Sequence, residues 1–249
     1  MPQRTRRVPP RPDFSRRAER YDELRPVDEN WNELYELLVR AGDLSGRRVL
    51  DVGCGTGRFA AALAEHADVC GVDPSREMLA VAKRRSSRAR FEVASAEQLP
   101  LPDRSFERAV LWLVVHLVDR GRAFGELRRV LDENGRIAIA TFDPSHFDAF
   151  WLNRLFPSLE AIDRARFPVP DQLETELRRA GFGAIRRVPL RQQAVLDREA
   201  ALERIRGRHI STFDLLDDGE YRAGLALAER VLPETIGYAR EWVVVTADA

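Results

Sequence analysis

Residues 49–60 read Val-Leu-Asp-Val-Gly-Cys-Gly-Thr-Gly-Arg-Phe-Ala, and this stretch decides the fold. Its first four residues have the apolar, partly β-branched character of a buried parallel strand, and an apolar helical start follows the glycines. Gly53, Gly55 and Gly57 lack side chains and can adopt backbone angles that other residues avoid, so a ligand can approach the backbone there. We expect a small charged molecule at this strand-to-helix turn, near the positive N-terminal end of the helix.

A second apolar run, residues 69–73, ends in the carboxylate of Asp73, twenty positions beyond Gly53. A carboxylate at the end of such a strand can accept hydrogen bonds from both hydroxyls of a ribose. Dinucleotide-binding enzymes use a similar glycine turn and acid for the same reasons, so these two features alone do not distinguish the cofactor.

Three further features narrow the choice. Asp51 stands just before the glycines, and Arg58 takes the place of a further glycine after the Gly-x-Gly-x-Gly spacing. The segment 95–107, Ser-Ala-Glu-Gln-Leu-Pro-Leu-Pro-Asp-Arg-Ser-Phe-Glu, leads into a third apolar run, and the chain closes with a strand-like run at 241–247. Together these blocks resemble the class I S-adenosylmethionine (SAM)-dependent methyltransferases, in their small-molecule, type 11-like group. The resemblance covers residues 18–185.

The resemblance and the alternation of apolar runs imply an α/β fold, with a Rossmann-like, doubly wound, mostly parallel seven-stranded sheet. We expect an antiparallel C-terminal strand, an N-terminal helical cap and a lid or insertion. Strands are predicted near 48–52, 69–72, 90–93, 107–113, 136–142, 184–190 and 240–247, and helices at 57–66, 76–85, 122–131, 171–180, 198–206 and 218–231.

The domain organisation follows from composition. Residues 1–13 mix arginine with proline and are predicted to be a disordered basic tail. Residues 14–249 are predicted to form one methyltransferase domain. Within it, the aromatic- and proline-rich segment 143–170 and the segment 191–238 before the last strand are expected to be insertions on the substrate side.

The resemblance implies SAM as the cofactor, and it supplies candidate binding residues. The glycines would admit the aminocarboxypropyl arm of SAM, Asp73 would bind the ribose, and the family's N-terminal tyrosine closes over the methionine end. Ser95 stands where the family often has an aspartate, so the backbone amide of Ala96 is expected to recognise the adenine instead. The candidates are Tyr21, Asp51, Gly53, Cys54, Gly55, Gly57, Asp73, Pro74, Met78, Ala96, Glu97 and Trp112.

Residues for the acceptor are fewer. His116 follows the fourth predicted strand and is the candidate general base for an acceptor hydroxyl, with a structural histidine as the alternative. The guanidinium group of arginine pairs well with carboxylates, so several basic residues are candidates for binding an anionic substrate group, although such a cluster is more often simply exposed on the surface. They are Arg166, Arg206, Arg208 and His209, whereas Arg58, a candidate for the SAM carboxylate, is expected to be solvated.

Composition restricts the partners. The 40 basic and 40 acidic residues cancel, so no overall field favours nucleic acid or an anionic membrane. Cys54 and Cys70 are predicted to be small core residues, and no metal site is expected. No apolar stretch approaches the ~20 residues of a membrane span, and a cytoplasmic location is predicted. The oligomeric state stays open.

The predicted function is methyl transfer from SAM to a small-molecule acceptor. Three alternatives stay open: a nicotinamide oxidoreductase, a nucleic-acid methyltransferase and a SAM-binding module without catalysis. The first is disfavoured by the glycine spacing. The second is disfavoured because residues 111–114 lack the Asn/Asp-Pro-Pro-aromatic pattern that holds a flipped base.

Overall fold

A computed structural model describes residues 14–249, which form a seven-stranded sheet with strand order β3-β2-β1-β4-β5-β7-β6. The first five strands pair with one another in parallel, and β7 is antiparallel to both β5 and β6. The predicted doubly wound α/β fold is therefore confirmed. The strands are β1 (Arg48–Val52), β2 (Asp68–Asp73), β3 (Arg90–Val93), β4 (Phe106–Trp112), β5 (Leu131–Phe142), β6 (Gly183–Asp197) and β7 (Thr235–Asp248).

Helices cover both faces of the sheet. Apolar side chains of α1, α2 and α3 pack on one face, and those of α4 and α6 pack on the other. This two-sided burial explains why β1 is an almost continuous apolar run. The helices are α1 (Glu29–Gly42), α2 (Arg58–Leu63), α3 (Arg76–Arg85), α4 (Arg120–Val130), α5 (Leu159–Arg166), α6 (Pro170–Arg179), α7 (Arg198–Arg206) and α8 (Asp218–Val231).

Side-chain caps fix where several helices begin. Asp28 accepts a hydrogen bond from the Trp31 amide at the start of α1. Ser75 does the same for the Met78 amide at α3, which starts three residues after β2 ends. Asp119 caps α4. Each cap satisfies an amide that would otherwise lack a partner, and so holds the connection between strand and helix in one place.

The two C-terminal strands are longer than predicted. The predicted strand 184–190 extends to Asp197, and the predicted strand 240–247 begins at Thr235, because the two strands stay paired up to Asp197 and Thr235. Gln192, Ala194 and Leu196 are buried at alternate positions, the period-two pattern of a strand. The two strands therefore occupy both ends of the predicted segment 191–238, and its helical part lies between them. Its place on the substrate side stays a prediction.

The two predicted insertions pack against each other. Segment 143–170 contains 3₁₀ turns at Pro144–Phe147 and Trp151–Arg154 followed by α5, and its apolar side chains meet those of α7, α8 and the extended ends of β6 and β7. The shared cluster includes Leu152, Phe156, Leu159, Leu202, Ile205, Phe213 and Ile236. Because these side chains are nearly fully buried, the two segments form one apolar layer beside the sheet.

The described residues bear on the predictions about the membrane, metals and cysteines, but not on the predicted tail. The predicted basic tail at 1–13 lies outside the described residues. Within 14–249, no helix combines the length and apolarity needed to cross a bilayer. The same residues contain no cluster of three metal-ligating side chains. Cys54 and Cys70 are both free thiols.

Candidate functional site

A cavity of about 430 Å³ lies at the carboxyl ends of β1, β2 and β4, next to the glycine-rich turn. In doubly wound sheets this edge is where ligands bind. The wall also includes residues of the N-terminal segment, which is the stretch 14–28 before α1, and of the layer formed by the two insertions. Of the predicted site residues, the wall contains Tyr21, Asp51, Gly53, Cys54, Gly55, Asp73, Pro74, Met78, Ala96, Glu97, Trp112 and His116.

Gly57 does not line the cavity, unlike the other predicted cofactor residues, and its part in cofactor binding stays a prediction. Its φ of 71° is in the left-handed region, and a Cβ there would lie 2.7 Å from the Cβ of Ala82. This glycine therefore lets the start of α2 approach α3 closely. Its role in the structure is packing between helices.

The turn between β1 and α2 is held against the end of β2. The amides of Gly53 and Cys54 both donate to the Val72 carbonyl, at 2.8 and 3.0 Å. Gly53 and Gly55 have φ of 70° and 54°, which favour glycine. A Cβ on Gly53 would strike Val114 at 2.6 Å, whereas a Cβ on Gly55 would meet nothing within 4 Å. The Gly55 backbone is therefore open to a ligand.

Asp73 ends β2 with its carboxylate anchored by the backbone. Its Oδ2 accepts from the Gly55 amide at 3.0 Å, and its Oδ1 accepts from the Ser75 amide at 2.8 Å. The N-cap of α3 is Ser75, so Asp73 is not the capping residue. Burial raises the pKa of Asp73 above its ordinary value, while the two backbone bonds act in the opposite direction. Each carboxylate oxygen keeps acceptor capacity for a ligand hydroxyl.

The Asp51 carboxyl lies beneath the turn and is 2% exposed. Its Oδ2 has no hydrogen-bond partner among residues 14–249. Burial, and secondly the neighbouring Asp73 carboxylate, raise the pKa of Asp51 to about 7. A cation at this point would stabilise the ionised carboxylate, because an unpaired buried charge is costly.

The proposed adenine side is buried and self-contained. Met78 and Ala96 are both almost fully buried at the cavity wall. Ser95 Oγ donates to Glu97 Oε2, and Glu97 Oε1 accepts from the Asp119 amide at 2.8 Å. Ser95 and Glu97 therefore tie this loop to the start of α4, which fixes the backbone of Ala96 at the cavity.

Hydrogen bonds and ion pairs of Asp22 hold the N-terminal segment over the glycine turn. The sequence analysis did not single out this residue. Its Oδ1 accepts from Thr56 Oγ1 at 2.9 Å and pairs with Arg58 at 2.8 Å, and its Oδ2 pairs with Arg85. The expectation that Arg58 is solvated is wrong, since its side chain is only 16% exposed. The signal available in the sequence was the aspartate directly after Tyr21, which also lines the cavity.

Trp112 belongs to a stack of aromatic rings. Its ring stacks on Trp31 with centroids 5.4 Å apart, and Phe59 meets it edge-on at 5.2 Å. Trp31 stacks in turn on Tyr35 at 5.1 Å. Trp112 and Trp31 both line the cavity, so helix α1 and the end of β4 together supply a rigid aromatic wall.

His116 lines the cavity and stacks on Phe167, with ring centroids 3.9 Å apart. Its Nδ1 has no partner among the described residues. Burial, and then Arg166 and Arg120, lower the pKa of His116 well below its ordinary value. The premise of a base with a near-neutral pKa is therefore not met, although a neutral imidazole facing the cavity can still accept a proton. The catalytic role of His116 stays a prediction.

The other basic candidates separate into two groups. Arg166 is committed to hydroxyls, donating to Thr212 Oγ1 at 3.1 Å and to Ser211 Oγ at 2.9 Å, and it does not line the cavity. Arg206 pairs with glutamates on the surface, and the Arg208 guanidinium lies 3.7 Å over the ring of Tyr221. His209 lines the cavity, so it is the member of this set that a ligand can reach.

These features match the chemical groups of SAM. The open backbone at Gly55 leaves room for the methionine arm, and the unpartnered Asp51 oxygen suits its ammonium group. The two anchored oxygens of Asp73 suit two ribose hydroxyls. The glycine turn offers no run of free consecutive amides to bind a pyrophosphate, because the amides of Gly53 and Cys54 both donate to the Val72 carbonyl. The assignment of individual residues to SAM stays a proposal.

Comparison with known proteins gives consistent results. The "Methyltransferase domain" family matches residues 50–139. The chain is 32% identical over 205 residues to a demethylmenaquinone methyltransferase from Thermus thermophilus, covering 68% of this chain and 90% of that one. It is 40% identical over 127 residues to methyltransferase GfsG from Streptomyces halstedii. That match covers 46% of this chain, and the chain spans only 45% of GfsG.

A solved structure agrees with the fold. A putative methyltransferase from an antibiotic biosynthesis pathway of Anabaena variabilis superposes with a TM-score of 0.68 at 22% identity. The match covers 86% of this chain and 96% of that one. With the glycine turn, the anchored carboxylate of Asp73 and the relative from Thermus in agreement, the chain belongs to the class I SAM-dependent methyltransferases.

Proposed function

We propose that this methyltransferase transfers the methyl group of SAM to a small-molecule acceptor bound beside the cofactor in one cavity. One observation carries the proposal: the cavity that contains Gly55 and Asp73 is continuous with a wall of aromatic side chains from the segment after β5. A cofactor held at the glycine turn and an acceptor held by that wall would share one enclosed space.

The acceptor wall is aromatic and closely packed. The rings of Phe142 and His146 stack with centroids 3.9 Å apart, and Phe147 lies 5.0 Å from Phe167. Phe150 lies 4.9 Å from His146 and also lines the cavity. Flat rings at van der Waals spacing favour an apolar or planar acceptor body.

The chemistry asks little of the side chains. When bound, SAM supplies a methyl group on a sulfonium, an electrophile that is already activated. The protein's contribution is to hold the acceptor in line with that group and to exclude water. Asp22 and its three partners would contribute by closing the N-terminal segment over the glycine turn.

Three histidines at the cavity wall are neutral at pH 7. Burial is the main cause that lowers the pKa of His116 and of His209 well below the ordinary value, and it lowers the pKa of His146 to about 4. A neutral imidazole can accept a hydrogen bond from an acceptor hydroxyl and so orient it. His116 is the candidate for taking the proton, because it follows β4 at the cofactor end.

The relatives support a small acceptor without naming the one used here. Relatives from Thermotoga maritima and Thermus thermophilus are named as demethylmenaquinone methyltransferases, and a relative from Pyrenophora dematioidea is named as an O-methyltransferase. The chain covers 63% of the Thermotoga protein and 62% of the Pyrenophora protein, so acceptor identity is not carried over. A cytoplasmic location remains a prediction of the sequence.

Turnover tests the proposal. Purified protein is incubated with methyl-labelled SAM and a panel of phenols, quinols, amines and carboxylates, and products are identified by mass spectrometry. We expect labelled small-molecule products together with S-adenosylhomocysteine (SAH), and less of both with Asp73→Ala at a SAM concentration near the wild-type Kd. Labelling of RNA or DNA alone would overturn the proposal. SAM binding without turnover of any acceptor would indicate a non-catalytic module, and tighter binding of NAD would indicate an oxidoreductase.

A further inference from the structure

The wall of the cavity contributed by the N-terminal segment, α7 and β7 is rich in arginine. Arg25, Arg204 and Arg240 all line the cavity and are partly buried. Arg58 also lines it but is paired with Asp22 at 2.8 Å. Within residues 14–249, none of the other three forms an ion pair with a carboxylate, in contrast to most arginines of the helices.

Two of these arginines are held side by side by a phenol. The Tyr238 hydroxyl oxygen accepts from Arg204 Nη1 at 3.4 Å and from Arg240 Nη2 at 3.1 Å. A guanidinium carries five N–H donors, and each of these groups uses one in this contact. Most of the guanidinium N–H donors of Arg204 and Arg240 are therefore available to a ligand in the cavity.

His209, three residues after the end of α7, lines the same cavity as the three arginines. Its Nδ1 lies 3.0 Å from the Arg204 carbonyl, which can only accept, so Nδ1 carries the proton and Nε2 is an acceptor. Burial first, and then Arg25, Arg204 and Arg240, hold the pKa of His209 well below its usual value. The imidazole is neutral at pH 7, and the positive charge around it comes from the guanidinium groups.

The acids that line the cavity form no ion pair with these three arginines within residues 14–249, because each has another partner or another position. Glu97 accepts from Ser95 Oγ and from the Asp119 amide, and Asp22 raises the pKa of Arg25 without pairing with it. Asp22 pairs with Arg58 and Arg85, Asp28 caps α1, and Asp163 accepts from Thr212. Asp73 is held by two backbone amides, and Asp51 lies beneath the glycine turn. A partly buried group of like charges without a counter-ion is a strong attractor for an anion.

We propose that Arg25, Arg204 and Arg240 bind an anionic group of the methyl acceptor, a carboxylate or a phosphate, while the aromatic wall holds the rest of the molecule. This inference rests on the proposed function and names the acceptor class. Planar guanidinium groups match both anions by paired hydrogen bonds. An acceptor without the anion leaves the three arginines unpaired, so the site discriminates against neutral analogues.

The methionine carboxylate of SAM is the competing occupant, and the test separates it from the acceptor. Arg204 and Arg240 belong to α7 and β7, whereas the glycine turn joins β1 to α2. If they held the cofactor, SAH, which has the same carboxylate, would bind more weakly when either is replaced. If they hold the acceptor, SAH affinity stays unchanged.

The test uses binding of three matched probes to the SAH-saturated full chain: 2-naphthoate, 2-naphthyl phosphate and the neutral 2-naphthamide. Calorimetry measures affinity, and the tryptophan fluorescence of the cavity gives a second signal. We expect at least one anion to bind about tenfold or more tightly than the amide. The tighter of the two anions identifies a carboxylate or a phosphate as the preferred group.

Variants assign the effect to the arginines. Arg204→Gln and Arg240→Gln should each weaken the preferred anion about tenfold and leave the amide unchanged. Arg198→Gln is the matched control, since Arg198 begins the same helix, bonds to the Glu229 carbonyl and lies outside the cavity wall. Equal affinity of anions and amide, failure of both anions to bind, or a loss of SAH affinity in the cavity variants would overturn the inference. Unchanged SAH binding would leave the proposed function standing.

Discussion

The buried carboxyl of Asp51 makes cofactor binding depend on pH. Its pKa is raised to about 7, chiefly by burial, so roughly one-tenth of the protein carries the ionised form at pH 6 and nine-tenths at pH 8. If the ionised form binds the ammonium group of SAH, affinity should rise about tenfold between these pH values, or about 1.4 kcal/mol. The sign follows because the bound cation lowers the pKa of Asp51, so protonation opposes binding.

Calorimetric titration with SAH at pH 6, 7 and 8 measures this dependence. Repeating the pH 7 titration in buffers of different ionisation enthalpy should show release of about half a proton on binding. Asp51→Asn keeps the shape of the side chain, so we expect it to bind SAH more weakly at pH 8 and to lose the slope. A wild-type affinity that stays constant between pH 6 and pH 8 would refute the reasoning, as would a slope retained by Asp51→Asn.

Three further predictions concern the turn, the ribose site and the candidate base. Gly55→Ala and the control Gly46→Ala each place a Cβ in open space at positive φ. Thermal unfolding should therefore show that both variants lose about 1–2 kcal/mol of the free energy of unfolding, whereas the affinity for SAH should fall only for Gly55→Ala. Asp73→Ala should weaken SAH by about 1–3 kcal/mol in calorimetry, because charge-assisted hydrogen bonds are lost; unchanged affinity would mean that the ribose lies elsewhere. His116→Ala should lower kcat ~10²-fold with SAH affinity retained, and the acidic limb of the wild-type pH–rate profile should lie below pH 6.5, because burial lowers the pKa of His116; full turnover by the variant would make this histidine structural.

The sheet and the glycine turn could be predicted from the sequence because their causes are local. A strand buried on both faces is apolar along its length, and Gly53 and Gly55 have the positive φ that their residue type favours. Gly57 has the same backbone angle but a different role, since its close neighbour is Ala82 on another helix. A glycine pattern predicts the conformation, whereas the contact that requires it depends on tertiary packing.

The partners of the arginines could not be predicted. Arg58 and Asp22 are far apart in the sequence, and only the folded N-terminal segment brings them together. The anion-site candidates in the sequence were Arg166, Arg206, Arg208 and His209. The guanidinium groups on α7 and β7 that lack an ion pair belong instead to Arg204 and Arg240. The sequence does not show which arginines have a carboxylate partner, because the fold determines which side chains come into contact.

The apolar layer shared by the two insertions has a consequence for altering acceptor preference. Leu152 and Phe156 come from the segment after β5, and Leu202 and Phe213 come from the segment between β6 and β7, yet they bury one another. Grafting one segment from a homologous enzyme would leave the other with mismatched partners and a cavity or clash in the interior. Both segments must therefore be exchanged as one module, and the cofactor half, which is built on β1 and β2, can stay as it is.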